Sequence, residues 1–327
     1  MAQLDSITIF ARRRSRTIDL RNTLTDYGAL FLLVGFFVFL SIDQTSAFLT
    51  GSNLQNIVEQ QAEITLLALA ETLVMITAGI DLSVGAVVAL TGLVAAHFAL
   101  QPHGGALVPL LVAPALGAGI GLVQALIIVY AGIQPFLVTL AGLSIVSAGA
   151  LIYTNGGPIG GLNPTFDALG QGSVFGVPCP ILVIVVVGAV IHYILRHTAT
   201  GRHIYAIGGG EETALKLGVN IARTKLALYT ASGLLAGLGG AVLTARVDGA
   251  DPLAGSTDEL TAIAAAVIGG TSLFGGVGNV PGTFIGVLLL GVLNNGLAII
   301  NISAYYQEVA IGLVLLVAVI LRRWHRT

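Results

Sequence analysis

Asp81 stands out by its setting. It lies in the run Ile76-Thr-Ala-Gly-Ile-Asp-Leu-Ser-Val-Gly-Ala-Val87, between two glycines and flanked by the nearly uncharged stretches 66–78 and 84–96. An aspartate at the centre of a membrane helix costs roughly 2.5 to 3.5 kcal/mol on insertion scales, so a chain that keeps one has satisfied it locally or put it to use. Two arrangements fit the residues. In one, Gly79 ends a helix and Asp81 caps the next through its amide groups. In the other, the helix breaks inside the membrane and its irregular backbone, with Asp81 and Ser83, lines a water-filled pathway. Glu71, in the preceding apolar run, has no basic partner nearby in sequence. It is either a protonated or hydrogen-bonded glutamate between helices or a pathway group that meets polar solutes. Gln124, Thr139, Ser144, Asn294, Asn295 and Gln307 also sit inside apolar runs. Most such groups bond across helices, at about 0.6 kcal/mol each; Asn294 and Asn295 join Glu71, Asp81 and Ser83 as candidates for a translocation pathway.

The elements that must position these residues are apolar helices. Of 327 residues 55% are hydrophobic and only 9% charged, against roughly 25% charged in an average soluble domain, and the mean hydropathy is +0.94. So few charges cannot cover a water-soluble surface, and the chain reads as an all-α, polytopic transmembrane helix bundle embedded in a lipid bilayer. Arg12, Arg13, Arg14, Arg16 and Arg21 precede the first apolar run. Arg196, Arg202, Lys216, Arg223 and Lys225 share one internal loop, and Arg322, Arg323 and Arg326 close the chain. The positive-inside rule puts all three clusters in the cytoplasm, so an even number of spans separates each pair.

Apolar runs near 27–42, 62–79, 83–100, 106–130, 136–153 and 180–195 precede the basic loop, and runs near 226–246, 258–272, 281–300 and 304–321 follow it. About ten spans with both termini cytoplasmic is the expectation. It divides the chain into a cytoplasmic segment 1–26 and a transmembrane domain 27–327 carrying a cytoplasmic loop at 196–225. The segments expected outside, among them 43–61 and 154–180, carry almost no Lys or Arg; the glycines and prolines of 154–180 suit an ordered loop better than another helix. The arginine run at 12–16 resembles the start of a secretion signal, but no convincing cleavage site follows, so a retained first helix is expected. Glycine is abundant, at 43 residues. Gly117, Gly119 and Gly121, then Gly282, Gly286 and Gly291, read as faces on which helices approach closely. Gly270–Gly276 loosely echoes Gly79–Gly85, a hint of an internal repeat.

The basic loop holds a mechanical feature. Gly208-Gly-Gly-Glu-Glu-Thr-Ala-Leu-Lys-Leu-Gly218 reads as a short helix with glycines before it and a glycine stop after it. Glu211 and Glu212 suit its positive end and Lys216 its negative end, with Glu212 and Lys216 spaced i,i+4. So short a helix needs a surface to dock on. Ala214, Leu215 and Leu217 either enter a groove on a cytoplasmic partner or pack against the chain's own helix ends. Several other chemistries are not supported. No glycine-rich stretch has the phosphate-loop pattern, and nothing suggests nucleic acid as a partner. His192, His197 and His203 read as interfacial histidines rather than metal ligands. Cys179 is the sole cysteine, which excludes an internal disulfide and a multi-cysteine metal site.

Gly79-Ile-Asp-Leu-Ser-Val-Gly85, Gln134-Pro-Phe-Leu-Val-Thr-Leu140, Gly201-Arg-His-Ile-Tyr-Ala-Ile-Gly-Gly209, Ala264-Ala-Ala-Val-Ile-Gly-Gly-Thr-Ser-Leu-Phe-Gly-Gly276 and Leu290-Gly-Val-Leu-Asn-Asn-Gly-Leu297 together resemble the blocks of bacterial ATP-binding-cassette permeases for monosaccharides, the ribose/xylose/arabinose/galactose group. The likeness runs in order from about residue 27 to 321. It implies a permease subunit of the bacterial inner membrane that is not itself an enzyme and holds no cofactor, ATP being bound by a partner. The implied partners are an ATP-binding subunit with tandem nucleotide-binding domains, a periplasmic sugar-binding protein and a second permease chain, as a homodimer. In that picture Gly210, Glu211, Glu212, Ala214, Leu215, Lys216 and Gly218 match the coupling helix that contacts the ATPase. Where such permeases usually carry an Arg-Gly pair this chain has Ser147-Ala148, so the resemblance supplies no charge partner for Asp81 or Glu71. The competing expectations are a branched-chain amino-acid permease of the same transporter class and a secondary transporter in which Asp81 or Glu71 carries a proton.

Overall fold

The computed structural model describes residues 20–101 and 105–324. Arg12, Arg13, Arg14, Arg16 and Arg326, and with them the retained-helix reading of the arginine run, lie outside the described residues. The helices are α1 Leu20–Asp43, α2 Thr45–Phe48, α3 Gly51–Gln60, α4 Ala62–Ile76, α5 Val84–Ala99, α6 Leu107–Tyr130, α7 Pro135–Thr154, α8 Pro164–Gln171, α9 Cys179–His197, α10 Ala199–Gly209, α11 Glu211–Lys216, α12 Ile221–Val247, α13 Asp258–Ile268, α14 Val280–Ile299 and α15 Ala304–Trp324. Two tiny antiparallel ribbons accompany them: β1 (Ile159–Gly160) pairs with β4 (Gly249–Ala250), and β2 (Ser173–Val174) with β3 (Val177–Pro178).

Every apolar run in the sequence falls on a helix. Five helices, α6, α7, α9, α12 and α14, are long and apolar enough to cross a membrane, with shorter apolar helices at 28–43 and 84–99. Helix α13 stops at Ile268, short of the expected 272, because Gly269 and Gly270 follow and Gly270 takes a φ of 109°. The stretch 154–180 differs from the expected loop by containing α8. There Asn163 accepts the Thr165 amide at 2.9 Å and Pro164 occupies the first turn, a favoured helix start. Phe166 of α8 is fully buried.

The core forms around α4 and α12. All residues of α4 are buried, Glu63 and Glu71 included; a helix apolar on every side belongs inside a bundle. Helix α12 lies along α6 at backbone contact. A Cβ on Gly117 would overlap the carbonyl oxygen of Gly233, one on Gly121 that of Tyr229, and one on Gly237 that of Ala113. Two small-x-x-x-small faces therefore interlock, as lipid-embedded helices do when packing replaces the hydrophobic drive. Gly282 and Gly286 meet α13 in the same manner, at the carbonyls of Gly269 and Ala265, and Gly291 meets the side chain of Gln61. Gly119 faces open space, so it is not part of a packing face.

Candidate functional site

Helix α4 ends in a double turn: the amide of Ala78 donates to Met75 and that of Gly79 to Val74, a Schellman closure. The left-handed residue there is Ala78, at φ 61°, and not Gly79, which the sequence suggested as the stop. Glycine at 79 serves space instead, since a Cβ would strike the hydroxyl of Tyr229. The break therefore runs from Thr77 to Ser83, and α5 starts at Val84.

Asp81 sits in that break with 1% of its surface exposed. Its Oδ1 accepts the Ser83 amide at 3.1 Å and the Ser83 hydroxyl at 2.6 Å, and its Oδ2 accepts the Ser232 hydroxyl of α12 at 2.7 Å. This is an Asx-type turn one residue ahead of the helix rather than a cap on α5, whose N-cap Ser83 makes no side-chain cap bond. Gln124 of α6 donates to Ser83 Oγ at 2.9 Å, and Thr139 of α7 donates to the Ile80 carbonyl at 3.2 Å. Glu71 is wholly buried beside it: Oε2 accepts the Asp81 amide at 3.5 Å, while Oε1 and the nearby Tyr229 hydroxyl have no hydrogen-bond partner. Among the described residues no Lys or Arg enters this cluster; its donors are hydroxyls and amides. Its chemistry is to hold an irregular segment against α6, α7 and α12, with the carboxylate as the shared acceptor. Counting along α12 at 1.5 Å per residue, Ser232 lies about 16 Å from Ile221 and about 22 Å from Val247, which places the cluster in the middle of that helix.

Of the sequence candidates, Asp81, Ser83 and Glu71 come together and the two asparagines do not. Asn295 exchanges amide hydrogen bonds with Asn53 of α3, at 2.8 and 3.0 Å, and so ties α14 to α3. Asn294, on the same helix, has a buried Oδ1 without a partner. Ser232 and Tyr229 were not picked out from the sequence. The available signal for Ser232 is its place beside Gly233-x-x-x-Gly237, where a small polar residue lies on a helix-packing face.

A second constellation adjoins the break. Helix α11 runs Glu211–Lys216, and Gly218, at φ 79°, closes it by a Schellman turn in which the Val219 amide donates to Ala214 at 3.0 Å. Glu212 and Lys216 pair at 2.8 Å, and Glu211 reaches Lys225 at 2.9 Å. Ala214 faces inward onto Ile207 and Val219, whereas Leu215 and Leu217 are 62% and 75% exposed. Helix α10, just before, touches both glycine-rich breaks. The Tyr205 hydroxyl donates to the Gly278 carbonyl at 2.7 Å, and the Gly276 amide to Ile76 at 2.9 Å. A Cβ on Gly208 would overlap both Ile76 O and Gly276 N. The two segments that echo one another in sequence thus meet: Gly275 packs on Ala78. Among the described residues no group of three or more His, Cys, Asp or Glu stands close enough to hold a metal.

A family model described as branched-chain amino acid transport system, permease component, matches residues 53–319. The ribose import permease protein RbsC of Escherichia coli (strain K12) is 42% identical over 294 residues, 88% of this chain and 91% of that protein. RbsC of Bacillus subtilis (strain 168) is 42% identical over 304 residues, 90% of each chain. The D-allose transport system permease protein AlsC of Escherichia coli (strain K12) is 34% identical over 297 residues, 91% of each. No solved structure matches the chain. With matches of this extent, covering both glycine-rich breaks and the α10–α11 arm, the chain belongs to the permease-component family of ATP-binding-cassette importers.

Proposed function

We propose that this chain is the permease subunit of an ATP-driven importer and forms the transmembrane pathway for a monosaccharide or related polyol. The observation that carries this reading is the likeness, over about nine-tenths of the chain, to sugar import permeases at 42% identity. The family model's wording names branched-chain amino acids, but the relatives just described carry sugar names, which favours sugar over that alternative. In this reading the protein lies in the bacterial inner membrane. An ATP-binding subunit with tandem nucleotide-binding domains sits on the cytoplasmic face, a periplasmic binding protein delivers the sugar, and a second copy of the permease completes the pathway. About ten helices cross, with both termini cytoplasmic.

The arm α10–α11 supports the coupling role. Leu215 and Leu217 present an apolar surface to the ATPase, while Ala214 anchors α11 to α10. Motion imposed on α11 reaches α10 as a rigid unit, and α10 meets the backbone of both helix breaks with no side chain between them. Displacing the arm therefore shifts the ends of α4 and α13, which border the Asp81 cluster. A close-packed interior transmits such a displacement instead of absorbing it.

The test is reconstitution of the permease in liposomes with the ATP-binding subunit and the binding protein. D-ribose accumulation is expected to require ATP, and replacing Glu212 and Leu215 together abolishes it while the protein stays inserted. Uphill accumulation by the permease alone under a pH gradient would overturn the reading in favour of a proton-coupled carrier.

A further inference from the structure

The connection between α12 and α13 is not a simple outer loop. Gly255 packs on Gly85 so closely that a Cβ on either would overlap the other's carbonyl oxygen. Gly85 is the second residue of α5, and the far end of α5 meets the 154–180 stretch, where the Asn163 amide donates to Ala99 at 3.2 Å. At 1.5 Å per residue, Gly85 stands about 21 Å from that end. Segment 251–257 thus dips back to the depth of the bundle's middle as irregular backbone. It is built of turns (Ala254 N–H to Asp251, Ser256 N–H to Leu253) and ends at Thr257 with φ 83°, a value β-branched residues rarely adopt.

Irregular backbone at membrane depth occurs only where protein buries it or where it lines a water-filled cavity. Here Leu253, Ser256 and Thr257 are exposed on this chain, so the segment lines such a cavity unless the second permease copy covers it. They border a cleft of about 140 Å³ walled by α5 at Ala86, by α7 at Ser147, and by Glu259 in the first turn of α13. The Glu259 carboxylate reaches towards Gly85, where only a glycine leaves it room. The Asp81 cluster differs: it is sealed from solvent, whereas Glu259, which accepts from the backbone amides of Thr257 and of its own residue, borders the cleft.

We propose that this cleft is a solute subsite on the translocation pathway, where Glu259 and the hydroxyls of Ser147 and Thr257 hydrogen-bond a neutral, polyhydroxylated solute. The assignment rests on the permease reading above. A carboxylate has about four lone-pair sites, so Glu259 keeps acceptor capacity for solute hydroxyls beside its two backbone amide donors, and the serine and threonine hydroxyls both donate and accept. Small neighbours such as Ala86 and Ala89 leave room for the solute.

The experiment uses the complete reconstituted transporter. In a Cys179→Ser background, Ser147→Cys, Thr257→Cys and Ile145→Cys are treated with a membrane-impermeant thiol reagent; Ile145 lies on α7, 71% exposed, outside the cleft lining. Labelling at 147 and 257 but not at 145 is expected, with D-ribose transport slowing it. Glu259→Gln is expected to lower uptake about tenfold, the loss of one charge-assisted hydrogen bond, with an unchanged melting temperature. Unlabelled cysteines at 147 and 257 in a transporter that still imports D-ribose overturn the proposal. So does spontaneous cross-linking of two copies through Ser147→Cys, which would make the face a subunit interface, or uptake by Glu259→Gln at the normal rate. Failure of the unmodified transporter to import any of D-ribose, D-allose and D-fructose with ATP sinks the permease reading instead, and the labelling pattern then still decides whether the cleft holds water.

Discussion

Removing one hydroxyl from the centre of the bundle tests whether Asp81 is satisfied as described. Ser232 is fully buried and, among the described residues, its hydroxyl is the sole donor to Asp81 Oδ2, at 2.7 Å, while Oδ1 keeps two donors from Ser83. Ser232→Ala therefore strands one buried carboxylate oxygen where water cannot replace the lost partner. Stranding a buried polar group costs about 1–3 kcal/mol, whereas interhelical hydrogen bonds in membranes average about 0.6 kcal/mol. The larger range applies because the acceptor is a carboxylate closed off from solvent, and a loss of about 1.5 kcal/mol is the working expectation. A double-mutant cycle of Ser232→Ala and Asp81→Ala, read by thermal unfolding of the detergent-solubilised protein, isolates the pair. With the aspartate gone, deleting the serine should cost little, giving a coupling energy of about 1 kcal/mol or more. A coupling below about 0.5 kcal/mol would refute the claim that this bond ties α12 to the break, since independent sites add to within that margin.

Three further perturbations follow from the packing. Gly208→Val forces a branched side chain between Ile76 and Gly276; overpacking costs about 1–3 kcal/mol, and ATP-driven uptake should fall severely while the ATPase still binds in a pull-down. Leu215→Asp with Leu217→Asp should abolish capture of the ATP-binding subunit without changing the melting temperature, because both side chains are exposed; Ala214→Asp, by contrast, buries a charge against Ile207 and should unseat α11. Gly117→Val should prevent accumulation of folded protein by colliding with Gly233, whereas Gly119→Val, facing open space, should be tolerated, as membrane expression levels will show.

Local signals were legible along the chain. The apolar runs located the helices because crossing hydrocarbon demands long uncharged segments, and the glycine-flanked Glu211–Lys216 announced its own start and stop. The interruption near Asp81 was equally visible, as was the packing role of five of the six singled-out glycines. Two features were not legible, for one reason. The left-handed residue at the end of α4 is Ala78, while Gly79 leaves space for Tyr229, and Asn295 exchanges amide hydrogen bonds with Asn53. Both depend on a distant element that local sequence does not name.

The class of the molecule, the positions of its helices, the two glycine-rich interruptions and the exposed arm could all be read along the chain, since each follows from hydropathy or capping within a short window. That Ser232, 151 residues away, satisfies Asp81, that the two interruptions meet under α10, and that the 251–257 segment re-enters beside Gly85 emerge only from the assembled fold. Helices apolar on every side carry no stripe to say which face meets which neighbour. Their partners are chosen by the fit of small residues and a few buried hydrogen bonds, and that fit exists only once the helices are assembled.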